Sequence, residues 1–412
     1  MKIAILSSGF LPVVDGITVT LYNRLQKLSE LGHRVLLFCP DYRLLARIYP
    51  NWQDYTGEIF SRVKIINLAS TGFLDWELER SVDRRSYHTV LEALTKFKPD
   101  IIHIDEPERL FLGFWKVAGK DFAKQNNIPC VSFFHTNFLE YGSDYFPLPA
   151  PLEIIVKWSF RLFLRWLYNS YDRTITSSRV TQQKLQRMGI KRIVCGDFLG
   201  VDINNNPASL RRDNYFAEEY NLPHLNDKTK LIFLGRLTPD KGWNFTIDLF
   251  PELARKIDLR NIAILIAGDG IMRDRIAEKL TQFGQNIHFL GRIDPDRIPA
   301  LLANSDIHIT ASEKETKGLT ILEAFAAGIP AIAPRSGGFI DTINDGIDGF
   351  LYAPQDKTDF IAKLELLIEN PSLRQKMGDR ARQDIVNYSW DRCVANLIDV
   401  WEREISLAIP LR

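Results

Sequence analysis

The sequence predicts an α/β protein built as two doubly wound parallel-sheet domains in tandem, and three observations carry that expectation. Short apolar runs alternate with stretches of helical period, in two successive series. A polar, turn-rich interval separates the series. The length, 412 residues, exceeds what one ordinary core fills at roughly 100 to 200 residues per domain.

The first series opens with KIAILSS, an apolar run read as a strand because no small-residue cleavage site follows it. A helical pattern through TLYNRLQKLSELG leads to RVLLFCP, and DIIHID, CVSFFHT and RTITSS continue the strands. This domain is placed at 1–203. The interval DINNNPASLRRDNYF to NLPHLNDKTK is read as a linker, 204–229. The second series, 230–384, runs through KLIFLGRL, IAILIAGDG, IHFLGRI, DIHITAS and IPAIAPRSGG. The last stretch, about 385–412, has helical period and large aromatics, and is expected to pack back onto the first domain. Sheets of this kind bind ligands beyond the carboxyl ends of their strands, which makes a cleft between the domains the expected site.

Composition narrows the class. A hydrophobic content of 45% and a charged content of 25% are those of a soluble protein. A net charge of +1 gives no bulk attraction for nucleic acid. The four cysteines lack zinc or disulfide spacing, which points to a reducing compartment. No uncharged apolar run reaches the roughly 18 residues of a membrane span, so a cytoplasmic location without signal peptide or transmembrane helix is expected.

Chemistry concentrates in the second series. In FLGRLTPDKGW, Gly235 and Arg236 leave a strand, and Lys241 and Gly242 follow in a turn. Two cations among glycines suit a diphosphate, since glycine lets the backbone approach and the cations form charge-assisted bonds. In SEKETKGLTILEAFAAGIP, Glu315 precedes a helix beginning near Gly318 or Leu319 and Glu323 lies about a turn inside it. The helix start offers free N–H groups to an anion, and Glu323 can accept bonds from two ribose hydroxyls. Taken alone, the acidic pair would only favour the helix dipole. Its partnership with the Gly-Arg…Lys-Gly loop and the PRSGG turn favours a site.

With the E-x7-E of Glu315 and Glu323, the GRLTPDKG loop, the GDG at 268–270 and the N-terminal VDGI, the chain resembles glycosyltransferase family 4. That resemblance implies the GT-B arrangement, two Rossmann-like domains facing a central cleft, a nucleotide-sugar donor and retention of anomeric configuration. It implies that Glu315 contacts the transferred sugar, Glu323 the ribose, and Arg236 and Lys241 the diphosphate. Leu319 and Thr320 would offer N–H groups to the distal phosphate, with Gly268 and Gly318 shaping the pocket, and Arg292 and Ile293 would cradle the base. Asp15 and Gly16 would meet the diphosphate from the other domain. Thr316-Lys317 departs from the Gly-Phe of many relatives; Lys317 either adds a cation at the donor or faces water.

Arg236, Lys241 and a helix N-terminus can stabilise a leaving diphosphate, each at about 3 kcal/mol. No metal or other cofactor is therefore expected. The DPD at 294–296 matches the metal-binding D-x-D, but Asp294 before Pro295 reads as an N-cap and first turn. GDGIMR lacks the third glycine of a dinucleotide loop.

Acceptor information lies in the first series. DEPE and HTNFLEY end two strands in polar clusters, so Glu106, Glu108, His135, Thr136 and Asn137 are expected at the cleft, with Glu140 and Tyr141 continuing the wall. These segments resemble digalactosyldiacylglycerol synthases, and FKPDIIH with SEKETKGLTILEA also resembles sulfoquinovosyl-diacylglycerol synthases. By that resemblance His135 sits at the reacting sugar, so that His135, Glu315, Arg236 and Lys241 make up the catalytic set.

In PLEIIVKWSFRLFLRWLYNSYDR, Lys157, Arg161 and Arg165 recur at i, i+4 and i+8 among Trp158 and Trp166. That pattern fits a helix at a lipid interface, or one packed on the sheet with its basic side chains at the rim. RLLARIYPNW adds a second basic, aromatic patch. The expectation is a peripheral enzyme on the cytoplasmic side of a bacterial or plastid-type membrane, moving galactose from UDP-galactose to monogalactosyldiacylglycerol. A sulfoquinovosyl transfer to diacylglycerol, a soluble transferase acting on a polysaccharide or small molecule, and a non-catalytic nucleotide-sugar binder are the alternatives.

Overall fold

The computed structural model describes residues 1–73, 76–136 and 149–408. Its described residues fall into two compact units. One takes in 1–136, 149–200 and 390–408, and the other takes in 201–389.

The first unit holds β1 (Lys2–Ser7), β2 (Arg34–Pro40), β3 (Gly57–Phe60), β4 (Val63–Leu68), β5 (Ser70–Phe73), β6 (Trp76–Val82), β7 (Ile101–Asp105), β8 (Cys130–Phe133), β9 (Arg173–Thr176) and β10 (Ile193–Cys195). Eight of these form one sheet in the order β10-β9-β8-β7-β1-β2-β4-β3, and β5 and β6 make a separate antiparallel pair. All pairings in the large sheet are parallel except β3 with β4. The apolar opening run is β1, flanked by β2 and β7. Ile3, Ala4, Ile5 and Leu6 are fully buried, as a strand covered on both faces requires.

The second unit holds β11 (Thr229–Leu234), β12 (Ile262–Ala267), β13 (Ile287–Gly291), β14 (Ile307–Ile309), β15 (Ala331–Pro334) and β16 (Gly349–Tyr352). They form one parallel sheet in the order β13-β12-β11-β14-β15-β16. Strand order reverses at β1/β7 in the first unit and at β11/β14 in the second. Those reversals splay the connecting loops apart and open a crevice at the strand ends.

The stretch 204–229 corrects the reading of a linker. It forms short helices, Pro207–Leu210 and Tyr215–Tyr220, and a turn at Pro223–Leu225. Tyr215, Phe216 and Leu225 are buried in one cluster with Ile232, Leu265 and Leu301. Its turn-rich composition hid two aromatics and a leucine that the second sheet's core absorbs. The helix Trp390–Ala408 belongs to the first unit and buries Trp401, Leu397 and Cys393. Among the described residues, no helix is long and apolar enough to cross a membrane.

Candidate active site

In the second unit the site forms where β11 and β14 diverge. The turn after β11 brings Lys241 into an ion pair with Glu315, which lies on the loop after β14. Asp240 is buried between the cations, 3.4 Å from the guanidinium of Arg236 and 3.9 Å from Lys241 Nζ. Its backbone carbonyl accepts from Ser312 Oγ at 3.0 Å, tying the two loops together. Sequence reasoning left Asp240 unassigned although it sits inside the quoted loop. Arg236 remains exposed.

The helix Leu319–Ala326 starts at Gly318, whose φ of 83° lies in the left-handed region. A Cβ there would also strike the ring of Phe339, so glycine is required twice over. With glycine as N-cap, no side chain covers the first N–H groups of the helix, so Leu319 and Thr320 keep open donors. Thr320 Oγ1 lies 3.1 Å from Nε2 of the buried His308 on β14. Glu323, one turn on from Leu319 and Thr320, shares their face. Its carboxyl has no side-chain partner among the described residues, and burial pushes it up to about 7. An unpartnered carboxylate beside open N–H donors is an arrangement made for a ligand with both hydroxyls and an anion.

Gly268, just after β12, packs closely on neighbouring backbone. Its N–H donates to Gly291 O at 2.7 Å, and a Cβ at Gly268 would collide with the carbonyl of Gly235. Arg292 is exposed just beyond that edge and Ile293 is half-buried against the cluster of Leu301 and Leu302. Lys317 does not face water. It is 2% exposed and its ammonium lies 4.6 Å from the centre of the Tyr388 ring, a cation–π contact. Asp294 occupies the cap position before Pro295, but its side chain makes no capping bond.

In the first unit the polar ends of β7 and β8 meet. Asp105 ends β7, Glu106 follows with φ of 53°, and the helix Pro107–Phe114 begins at once. His135 Nε2 lies 2.7 Å from Asp105 Oδ1, and its ring stacks on Phe133 with centres 4.0 Å apart. Glu106 accepts from Ser8 and, at 2.8 Å, from Thr136 Oγ1. Burial raises its carboxyl despite Arg109 nearby. Glu108 accepts from Tyr168 at 2.6 Å; burial, with the charge of Glu106 adding, pushes it up to about 8.

Glu106 and Glu108 therefore correct the reading of an open acceptor wall. Both carboxyls are 2% exposed and bonded internally, because the helix starting at Pro107 turns its first residues under the strand ends. Thr136 donates into that same network. Asn137, Glu140 and Tyr141 lie outside the described residues. Asp15 is likewise committed: Oδ1 caps its helix by accepting from the N–H groups of Ile17 and Thr18, both at 2.8 Å. Gly16 is the first residue of that helix. Sequence reasoning missed Arg24, His103, Asp105 and Trp401, although His103 and Asp105, two residues apart on an apolar strand, share one of its faces.

The helix Ala150–Asn169 packs by its later turns, where Leu164, Leu167 and Tyr168 are buried. Its earlier turns expose Ile154 (69%), Ile155 (59%) and Trp158 (61%), and Trp166 is 52% exposed. Lys157 pairs with Glu153 at 2.6 Å, and Arg161 and Arg165 are exposed. Leu112 and Trp115 of the neighbouring Pro107–Phe114 turn are exposed too.

Residues 14–195 match the family described as Glycosyltransferase Family 4, and residues 217–384 match Glycosyl transferases group 1. The sulfoquinovosyl transferase SQD2 of Arabidopsis thaliana is 28% identical over 73% of this chain, a span that takes in 56% of that protein. A GDP-mannose-dependent alpha-mannosyltransferase of Mycolicibacterium smegmatis is 28% identical over 98% of this chain and 97% of its own. The alpha-monoglucosyldiacylglycerol synthase of Streptococcus pneumoniae is 24% identical over 91% of this chain and 80% of its own. Among solved structures, Anabaena HepE in complex with UDP and glucose superposes with a TM-score of 0.70 at 18% identity, over 98% of this chain and 99% of that one. That likeness is one of fold.

Proposed function

The chain belongs to glycosyltransferase family 4, as a GT-B enzyme using a nucleotide sugar, and we propose that it transfers galactose from UDP-galactose to monogalactosyldiacylglycerol with retention. The observation that carries the donor half is the convergence of Arg236, Lys241, Glu315 and the unpartnered Glu323 on a helix start with open N–H groups. Charge builds on the diphosphate as the glycosidic bond breaks. Arg236, Lys241 and the N–H groups of Leu319 and Thr320 meet that charge. The Lys241–Glu315 pair then separates in function: the ammonium goes to phosphate, and the carboxylate to the sugar's hydroxyls. Those fixed cations make a metal unnecessary, and a chelator should leave turnover unchanged.

The acceptor half is supported by the exposed apolar and basic turns of Ala150–Asn169, which suit a membrane surface on which the enzyme sits peripherally. The transfer is read as a same-face displacement, in which the leaving phosphate takes the acceptor's proton. A relative that aligns along nearly the whole chain is GDP-mannose-dependent, which makes a mannosyl donor the second reading. The test incubates the protein with UDP-galactose, UDP-glucose, UDP-sulfoquinovose or GDP-mannose and vesicles containing monogalactosyldiacylglycerol or diacylglycerol, and reads the lipid mass. A digalactosyl product supports the proposal. Product from GDP-mannose alone, or only with water-soluble acceptors, overturns it.

A further inference from the structure

Beneath His135 lies a set of buried groups that the transfer reading leaves unused. Trp401, on the helix Trp390–Ala408, approaches Nδ1 of His103 with its Nε1 at 3.2 Å. An indole nitrogen only donates, so Nδ1 of His103 is the acceptor and the ring's hydrogen is on Nε2. That Nε2 lies 3.1 Å from Oδ1 of Asp105. Arg24 brings NH1 to 3.2 Å from the other carboxylate oxygen. NH1 also comes within 3.3 Å of His103 Nε2, but both are donors, and they meet only because they serve one acceptor. Burial by itself would raise the Asp105 carboxyl. Arg24 and the two imidazoles outweigh it and hold the group well below the usual range. An ionised carboxylate only accepts. The Nε2 of His135, 2.7 Å from Oδ1, must therefore carry a hydrogen. Phe133, stacked 5° from parallel on the same ring, fixes its plane.

We propose that Asp105 is a positioning residue for glycosyl transfer: it holds His135 in one ring orientation with hydrogen on Nε2, and Trp401 secures Asp105 through His103. This rests on the reading that His135 meets the substrate. Arg24, fully buried and 5.4 Å from the Phe133 ring, supplies the fixed charge on which the set is built.

Long-range proton–nitrogen spectra of the full chain labelled at histidine test the geometry without any substrate. His103 and His135 should both carry their hydrogen on Nε2 in the neutral ring. A neutral Nδ1–H form of either ring overturns the proposal, and this measurement on the unaltered protein stands even if variants do not fold. In the activity arm, Asp105→Asn should lower kcat on the order of 100-fold or more, since a misoriented imidazole is costly while binding persists. KM for the nucleotide sugar should stay within about 3-fold. If His135→Gln is impaired but Asp105→Asn is not, positioning by Asp105 falls. If His135→Gln turns over normally, the substrate-side reading of His135 falls and the transfer role of Asp105 with it.

Discussion

Replacing Glu108 by Gln should flatten one part of the pH dependence of stability. The Glu108 carboxyl is 2% exposed, beside Glu106, and accepts a single bond from Tyr168. Burial first, and Glu106 second, push it up to about 8, against an ordinary value of 4.5. Below the ordinary value both the folded and unfolded chains hold the proton, so pH has no purchase. Between the two values the unfolded chain releases it and the folded chain keeps it. Stability then falls as pH rises, by about 1.4 kcal/mol per unit, and the fall ends above the folded value. From pH 6 to 8 the loss comes to about 2 kcal/mol, because the folded carboxyl is itself half ionised at the upper end. Glu323 and Glu106 are also raised, so the wild-type curve alone mixes several groups. Glutamine copies the neutral acid, and the difference between the two proteins isolates Glu108. Thermal melts should show the variant's midpoint pulling ahead of the wild type's by several further degrees between about pH 6 and pH 8. Parallel curves across that range would refute the reasoning.

Other outcomes follow from the donor side and the surface. Lys241→Ala should cut kcat by about 100- to 1,000-fold, as expected for one preorganised donor to a leaving anion, and steady-state turnover checks it. Glu323 can accept from two ribose hydroxyls only when ionised, so UDP affinity, measured by calorimetry, should strengthen up to about 10-fold between pH 6 and 8. Glu323→Gln should abolish that slope. Replacing Lys157, Arg161 and Arg165 by Ala should weaken sedimentation with anionic liposomes and remove its salt dependence. Replacing Ile154, Ile155 and Trp158 by Ser should weaken it at any salt concentration.

Most of the sheet could be read from the chain because its strands are buried on both faces and show as apolar runs. KIAILSS, RVLLFCP, DIIHID, CVSFFHT and IAILIAGDG each contain a strand. The edge strands β3 and β16 are short, and half-exposed β3 has no such run. That the loops after β11 and β14 meet was legible because Gly, Arg, Lys and Glu at those spacings have few uses apart from one another. Contacts across the fold were not. Nothing local says that Glu108 turns inward to Tyr168, that Asp15 spends its carboxylate on a cap, or that Lys317 lies against Tyr388. The linker reading failed for a related reason: turn residues mark where a chain bends, not whether the bends are packed.

The first unit is assembled from stretches that the chain delivers far apart in time. At about 5 to 20 residues per second, Trp401 leaves the ribosome roughly ten seconds or more after His135. Until then His103 lacks its indole partner and Arg173 lacks Glu404, 2.7 Å away in the finished fold. The whole 201–389 unit can form during that interval. A nascent chain can thus complete its second unit before its first, whose partners for His103 and Arg173 come with the helix Trp390–Ala408. An early stop within that helix would leave the second unit whole and take from the first the support beneath the end of β7.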